Sequence, residues 1–220
     1  MNQQLRPSPP QNLEIDGPAG SLEAMQVVHP DSTGWLVICH PHPVFGGTMH
    51  NKVVHTLARA GFDLGLSTMR FNFRGVGASA GEYDEGIGET QDCLAVLDWA
   101  TKQPAGETLW LAGFSFGGYV ALRAVQTVVP QQLITVAPPV QRFAFAGLEP
   151  PECPWLIIQG DDDELVDSDA VIEWVNGLPP GPELAVMDGV DHFFHRRLTD
   201  LRELIVRELG SGKLGSESSF

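Results

Sequence analysis

Short apolar runs without alternation recur along the chain, parted by stretches in which apolar residues return every three or four positions. Trp35-Leu36-Val37-Ile38-Cys39, residues 67–73, Leu109-Trp110-Leu111-Ala112, Gln132-Leu133-Ile134-Thr135-Val136, Trp155-Leu156-Ile157-Ile158-Gln159 and residues 183–187 are the runs. Unbroken apolar segments of this length read as strands covered on both faces. Between them, Val53, Val54, Leu57 and Ala58 predict a helix over about 50–60, and Cys93, Leu94, Val96, Leu97 and Ala100 one over 88–103, ending before Pro104. A third begins behind Ser115, with Val120, Ala121, Ala124, Val125 and Val128 at helical spacing. Two more are expected over about 169–176 and 195–209. Upstream, strand candidates at 13–15 and 22–28 flank Asp16-Gly17-Pro18-Ala19-Gly20, which is hairpin-like punctuation.

Strands alternating with helices imply an α/β protein with a mostly parallel, doubly wound sheet and helices on both faces. Only about 18 residues separate the strand ending at Val136 from the one starting at Trp155, which leaves little room for a helical cap, so no substantial lid is expected. The expected organisation is a loose amino-terminal arm at 1–11, one domain over 12–209, and a flexible small-residue tail at 210–220.

A chain of 220 residues with 43% hydrophobic content can bury one sizeable core. Its plain apolar runs reach about five residues, against the roughly 18 that span a bilayer. The first residues, MNQQLRPSPPQNLEIDG, lack the apolar centre of a signal peptide, and Cys39, Cys93 and Cys153 show no C-x-x-C spacing. Buried free thiols and a cytoplasmic location are therefore expected. The formal net charge of −15 argues against nucleic acid and anionic membranes as partners, since both want a basic face.

The chemistry concentrates in Thr108 to Gln126. There the strand runs into Gly113-Phe114-Ser115-Phe116-Gly117, a G-x-S-x-G turn followed by a helix. Glycines on either side let strand and helix approach closely enough for a strained serine to project its hydroxyl from the sheet edge. A nucleophilic serine needs an imidazole to take its proton and a carboxylate to hold that imidazole's tautomer. Two later strands end in suitable loops: Asp161-Asp162-Asp163-Glu164 after the first, and Asp188-Gly189-Val190-Asp191-His192 after the second. The order Ser, Asp, His along the chain is thereby met. His192 is the expected base, with His195 expected on the surface of the following helix. An oxyanion site wants two backbone N–H donors, one of them from Phe116 behind the serine. The other belongs to the loop after Cys39, where Pro41 and Pro43 have no N–H, leaving His42, Val44 or Phe45.

Together GFSFGG, QGDDDELVD and DGVDHFF resemble the α/β-hydrolase superfamily. HPHPVFGGTMHNKVV followed by FNFRGVGASAGEYDEG resembles one small bacterial family within it, similar to dienelactone hydrolases and lidless carboxylesterases. The resemblance runs from about Trp35 to His195. It implies a serine nucleophile, an aspartate and a histidine and assigns no particular substrate; the activity expected of this chain is cleavage of small or medium acyl esters of small molecules, with no metal or other cofactor. By position, G-x-x-D-x-x-V from Gly160 to Val166 places the acid at Asp163, with Asp161 and Asp162 as competitors. Val44-Phe45-Gly46 resembles the I-F-G run of dienelactone hydrolases, which selects Val44 as the second oxyanion donor and His42 as the alternative. Ser115 stands where those enzymes usually carry cysteine.

Other readings compete. His40-Pro41-His42 is an H-x-H at a strand end, which could hold a metal in a metal-dependent hydrolase. Arg74 is expected to brace its loop by pairing with Glu82, Asp84 or Glu89. The scaffold could also serve a non-catalytic binding protein, because fold alone does not dictate function.

Overall fold

The computed structural model describes residues 8–179 and 181–210. The arm expected at 1–11 lies outside the described residues as far as residue 7, and the tail from residue 211 onward. The chain enters the sheet through the hairpin β1 (Gln11–Gly17) and β2 (Gly20–Val27), paired antiparallel with Gly17 opposite Gly20. β3 (Trp35–Cys39), α1 (Lys52–Asp63), β4 (Ser67–Phe71), α2 (Ile87–Thr101), β5 (Leu109–Phe114) and α3 (Phe116–Ala124) follow. β6 (Gln132–Val136), β7 (Trp155–Gly160), α4 (Ser168–Asn176), β8 (Pro182–Met187) and α5 (Leu198–Gly210) complete the domain.

The eight strands are ordered β1-β2-β4-β3-β5-β6-β7-β8. β2 meets β4 antiparallel, and every pairing from β4 onward is parallel. Strand periodicity then divides the core. Leu36 and Ile38 face α1 and α5 with Val53, Leu57, Leu201 and Ile205. Val37 and Cys39 face the opposite layer with Val96 and Leu97 of α2, Val120 of α3 and Val171 of α4. All five residues of β3 are buried, so the unbroken apolar run is the signature of this two-sided cover.

The connection from β6 to β7 holds only a three-residue 3-10 turn, Phe145–Gly147, and among the described residues no inserted cap follows β6. Among the described residues no helix is long and apolar enough to cross a membrane. The three cysteines are free; Cys39 and Cys93 are buried with their sulfurs 3.5 Å apart.

Two local expectations differ. His195 precedes α5 rather than lying on it, because Phe194 and Arg196 adopt positive φ values of 55° and 63° and hold the chain in a turn until Leu198. Arg74 pairs with none of its three expected partners. It forks onto Asp92 of α2, with Nη2 to Oδ1 at 2.7 Å and Nε to Oδ2 at 3.0 Å, and its own backbone N–H reaches Oδ2 at 2.9 Å. Glu89 instead accepts the N–H groups of Asp84 and Gly86 at the start of α2. Asp92 lies one helical turn beyond it, on the same face.

Candidate active site

Ser115 sits between β5 and α3 with φ 53° and ψ −120°, an arrangement a side-chain-bearing residue adopts only under strain of about 1–3 kcal/mol. Two anchors hold it there. Its N–H donates to Val136 O at 2.8 Å, and its carbonyl accepts Gly118 N–H at 2.8 Å. The flanking glycines are required by contact. A Cβ on Gly113 would stand 2.1 Å from Gly117 O, and one on Gly117 would stand 2.3 Å from Cys39 O and 2.6 Å from His40 O. The elbow is thus pressed into the end of β3, which puts the His40–Phe45 loop beside the serine.

Gly118, by contrast, would place a Cβ no nearer than 3.5 Å to anything. Gly118→Ala is therefore expected to keep activity and hold or raise stability, since alanine favours a helix over glycine by about 1 kcal/mol. Gly117→Ala meets backbone that cannot yield, and should lose folded protein or activity. Thermal midpoints and soluble yield of the two variants check the contrast.

His192 comes from the turn after β8 and is buried at 3% exposure, its ring 5.1 Å from those of Phe114 and Phe193. Its Nε2 lies 3.1 Å from Ser115 Oγ and its Nδ1 2.8 Å from Asp163 Oδ2. An ionised carboxylate only accepts, so Nδ1 carries the ring proton and Nε2 is left to accept from the serine hydroxyl. The Asp163 carboxyl is held by other donors as well. Oδ1 accepts the N–H groups of Leu165 and Val166 at 2.9 and 2.7 Å, and Oδ2 accepts Gln159 Nε2 at 3.1 Å. Burial raises its pKa, but the His192 ring and the two backbone donors outweigh burial and hold it below the usual carboxylate value.

The structure separates the three neighbouring aspartates. Asp161 Oδ1 accepts Gly189 N–H at 2.6 Å and so ties the β7 turn to the His192 loop, whereas Asp162 is exposed. Glu164, which the sequence did not single out, accepts the backbone N–H of His192 at 3.2 Å. Asp191 pairs with His195, Nδ1 to Oδ2 at 2.8 Å, on the surface.

The ring nitrogens of the HPH loop are all engaged. His40 is completely buried, and burial lowers its pKa to about 3, so the ring is neutral. Its Nδ1 donates to Pro41 O at 2.6 Å and its Nε2 accepts Phe73 N–H at 3.0 Å. His42 Nδ1 accepts Val44 N–H at 3.3 Å while Nε2 meets Tyr83 OH at 3.2 Å. With all four ring nitrogens used in shaping the loop, the pair is not a ready metal site. Among the described residues no group of three or more His, Cys, Asp or Glu side chains could hold a metal ion. His42 also packs against Phe45, Tyr83 and Phe116, with ring centroids 4.7, 5.0 and 4.9 Å away.

Phe116, at the first position of α3, has no intrahelical acceptor for its N–H. Val44 is 63% exposed and its N–H is already given to His42 Nδ1. The N–H of His42 has no acceptor among the described residues. A surface depression lined by Leu64, Trp110, Pro130, Cys153 and Leu209 opens at the amino ends of the strands, the edge opposite Ser115.

A strained serine on a strand–helix turn, facing a histidine and an aspartate at the carboxyl edge of a lidless parallel sheet, defines an α/β-hydrolase. The chain belongs to the alpha/beta hydrolase domain family, whose model matches residues 36–204. It is similar to a lidless serine hydrolase of Xanthomonas campestris, with 46% identity, TM-score 0.86, and 93% of this chain and 95% of that one covered. It is also similar to an alpha-beta serine hydrolase homologue of Coxiella burnetii, with 50% identity, TM-score 0.87, and coverage of 90% and 97%. An uncharacterised protein of Rickettsia prowazekii is 34% identical over 205 residues, covering 88% of this chain and 86% of that protein. The protein is accordingly a serine hydrolase homologue of the α/β fold.

Proposed function

We propose that the protein is an esterase that cleaves small or medium acyl esters through an acyl-enzyme on Ser115. The observation that carries this reading is the continuous path from Ser115 Oγ to His192 Nε2 at 3.1 Å and from His192 Nδ1 to Asp163 Oδ2 at 2.8 Å. In the first half-reaction Ser115 Oγ bonds to the ester carbonyl carbon as His192 Nε2 takes the hydroxyl proton. Asp163 stabilises the imidazolium without being protonated. The alcohol leaves with that proton, and water repeats the sequence to release the acid. No metal or organic cofactor enters any step.

Phe116 N–H is the first oxyanion donor. For the second, His42 supports the role better than Val44, because its N–H is uncommitted and its loop is pressed against the elbow at Gly117. Each such donor is worth roughly 3 kcal/mol in the transition state. The substrate is a free small molecule rather than nucleic acid or a membrane surface, in keeping with the net charge of −15. The free thiols fit a reducing cytoplasm.

The short link between β6 and β7 offers no capping element to bury a long chain. Nitrophenyl acetate and butyrate are therefore expected to turn over faster than the palmitate, measured as kcat/KM on purified protein. Equal rates across the series would remove the short-chain preference, and no hydrolysis of any ester would remove the esterase reading.

A further inference from the structure

β7 is apolar from Trp155 to Ile158 and then carries a glutamine, Gln159, that is completely buried. Its amide is half satisfied. Nε2 donates to Gly160 O at 3.0 Å and to Asp163 Oδ2 at 3.1 Å, while Oε1 has no partner among the described residues. A buried acceptor left unpaired costs free energy, and methionine or leucine would fill this position without that cost. The amide cannot turn over to relieve it, because Oε1 would then face the carboxylate of Asp163. The position therefore holds an amide whose bonded half is turned on Gly160 O and Asp163 Oδ2 while its other half goes unpaired among the described residues.

The geometry points to a use. The two backbone donors from Leu165 and Val166 both fix Oδ1 of Asp163. Oδ2, the oxygen that receives His192 Nδ1, is fixed from the protein side by Gln159. We propose that Gln159 is the positioning residue of the acid: its buried amide anchors the carboxylate oxygen that meets the imidazole. This rests on Asp163 being the acid of the proposed esterase. The amide keeps Oδ2 in place when His192 passes its proton on and its pull on the carboxylate weakens. It also shares the negative charge of that oxygen, so the carboxylate holds the imidazolium less strongly than an unshared one would. Tight packing supports the arrangement, since a Cβ on Gly160 would stand 2.1 Å from Val190 O in the His192 loop.

Gln159→Leu and Gln159→Glu test the proposal together. Q159L should stay folded with a modestly lowered thermal midpoint, keep its KM, lose about tenfold in kcat, and move the acid limb of its pH–rate profile to higher pH. In Q159E the new carboxyl can donate to Asp163 only while protonated. Its activity should therefore decline on the alkaline side, where the wild type does not. His192 is the charge that acts on Asp163, Glu164 holds the His192 backbone N–H, and the other acids of the two loops, Asp161, Asp162, Asp188 and Asp191 with its partner His195, lie toward the surface. All are unchanged in both variants, so the comparison isolates position 159. Should Q159L not fold, Q159M carries the same expectation. The rate of labelling by a fluorophosphonate probe, followed against pH, separates the two levels of the account. Absence of labelling on the wild type overturns the esterase reading. Normal labelling of the wild type with wild-type profiles in the variants overturns the role of Gln159.

Discussion

Ser115→Ala is expected to lose on the order of 10⁵- to 10⁶-fold in kcat, with the circular-dichroism spectrum and thermal midpoint retained. The loss is large because, in the proposed mechanism, the serine oxygen is the atom that bonds the carbonyl carbon, and His192 without it has no hydroxyl proton to take. The fold should survive because the elbow is held by other means. Ser115 N–H to Val136 O and Ser115 O to Gly118 N–H are backbone bonds that alanine keeps, and the glycine contacts at Gly113 and Gly117 are unaffected. Alanine must still adopt φ 53°, which costs no less than for serine, so no gain in stability is expected. A variant retaining most of the esterase rate would place the chemistry elsewhere on the molecule.

Asp163→Asn should lose roughly 10⁴-fold in kcat/KM near neutral pH, at nearly unchanged KM. An amide presents either an N–H, which repels the Nδ1 proton and forces the wrong tautomer, or an oxygen without charge. Gln159 Nε2 and the Leu165 and Val166 N–H groups already donate to this side chain, so both oxygens of the native carboxylate are needed as acceptors. The same carboxyl contributes to stability with a defined sign. Its pKa is held below the ordinary value, so its contribution is complete above that ordinary value, near pH 4, and is lost as pH falls through the lowered one. Asp163→Asn should therefore flatten the acid side of the stability–pH curve. Wild-type-like acid sensitivity in the variant would show that other groups govern it.

Much of this was legible in the chain. The unbroken apolar runs gave the parallel strands because two-sided burial leaves no polar face to alternate. G-x-S-x-G between a strand and a helix located the elbow because its glycines answer to backbone contacts near 2 Å, which no other residue can meet. What stayed hidden depended on distance in three dimensions. Arg74 and Asp92 are 18 residues apart, and nearer acids were equally plausible until α2 turned Asp92 inward and used Glu89 at its own start. The G-x-x-D-x-x-V pattern already favoured Asp163 over Asp161 and Asp162, but which carboxylate faces the ring and which takes Gly189 N–H is a matter of turn geometry. The aromatic surroundings of His42 draw Phe45 from its own loop, Tyr83 from the loop before α2 and Phe116 from the start of α3, and the last two left no signal beside His42. Gln159 did leave a trace, a polar residue at the end of an apolar strand, but its partner four residues on could not be read from spacing.

An activated hydroxyl at position 115 is what the esterase reading needs above all. Incubation with a fluorophosphonate, digestion and mass spectrometry of the peptide spanning residues 108–126 test that directly. A single stoichiometric adduct on Ser115 is expected, absent in Ser115→Ala and formed far more slowly in His192→Ala. An unlabelled Ser115, or equal labelling with and without the imidazole, would contradict the esterase reading.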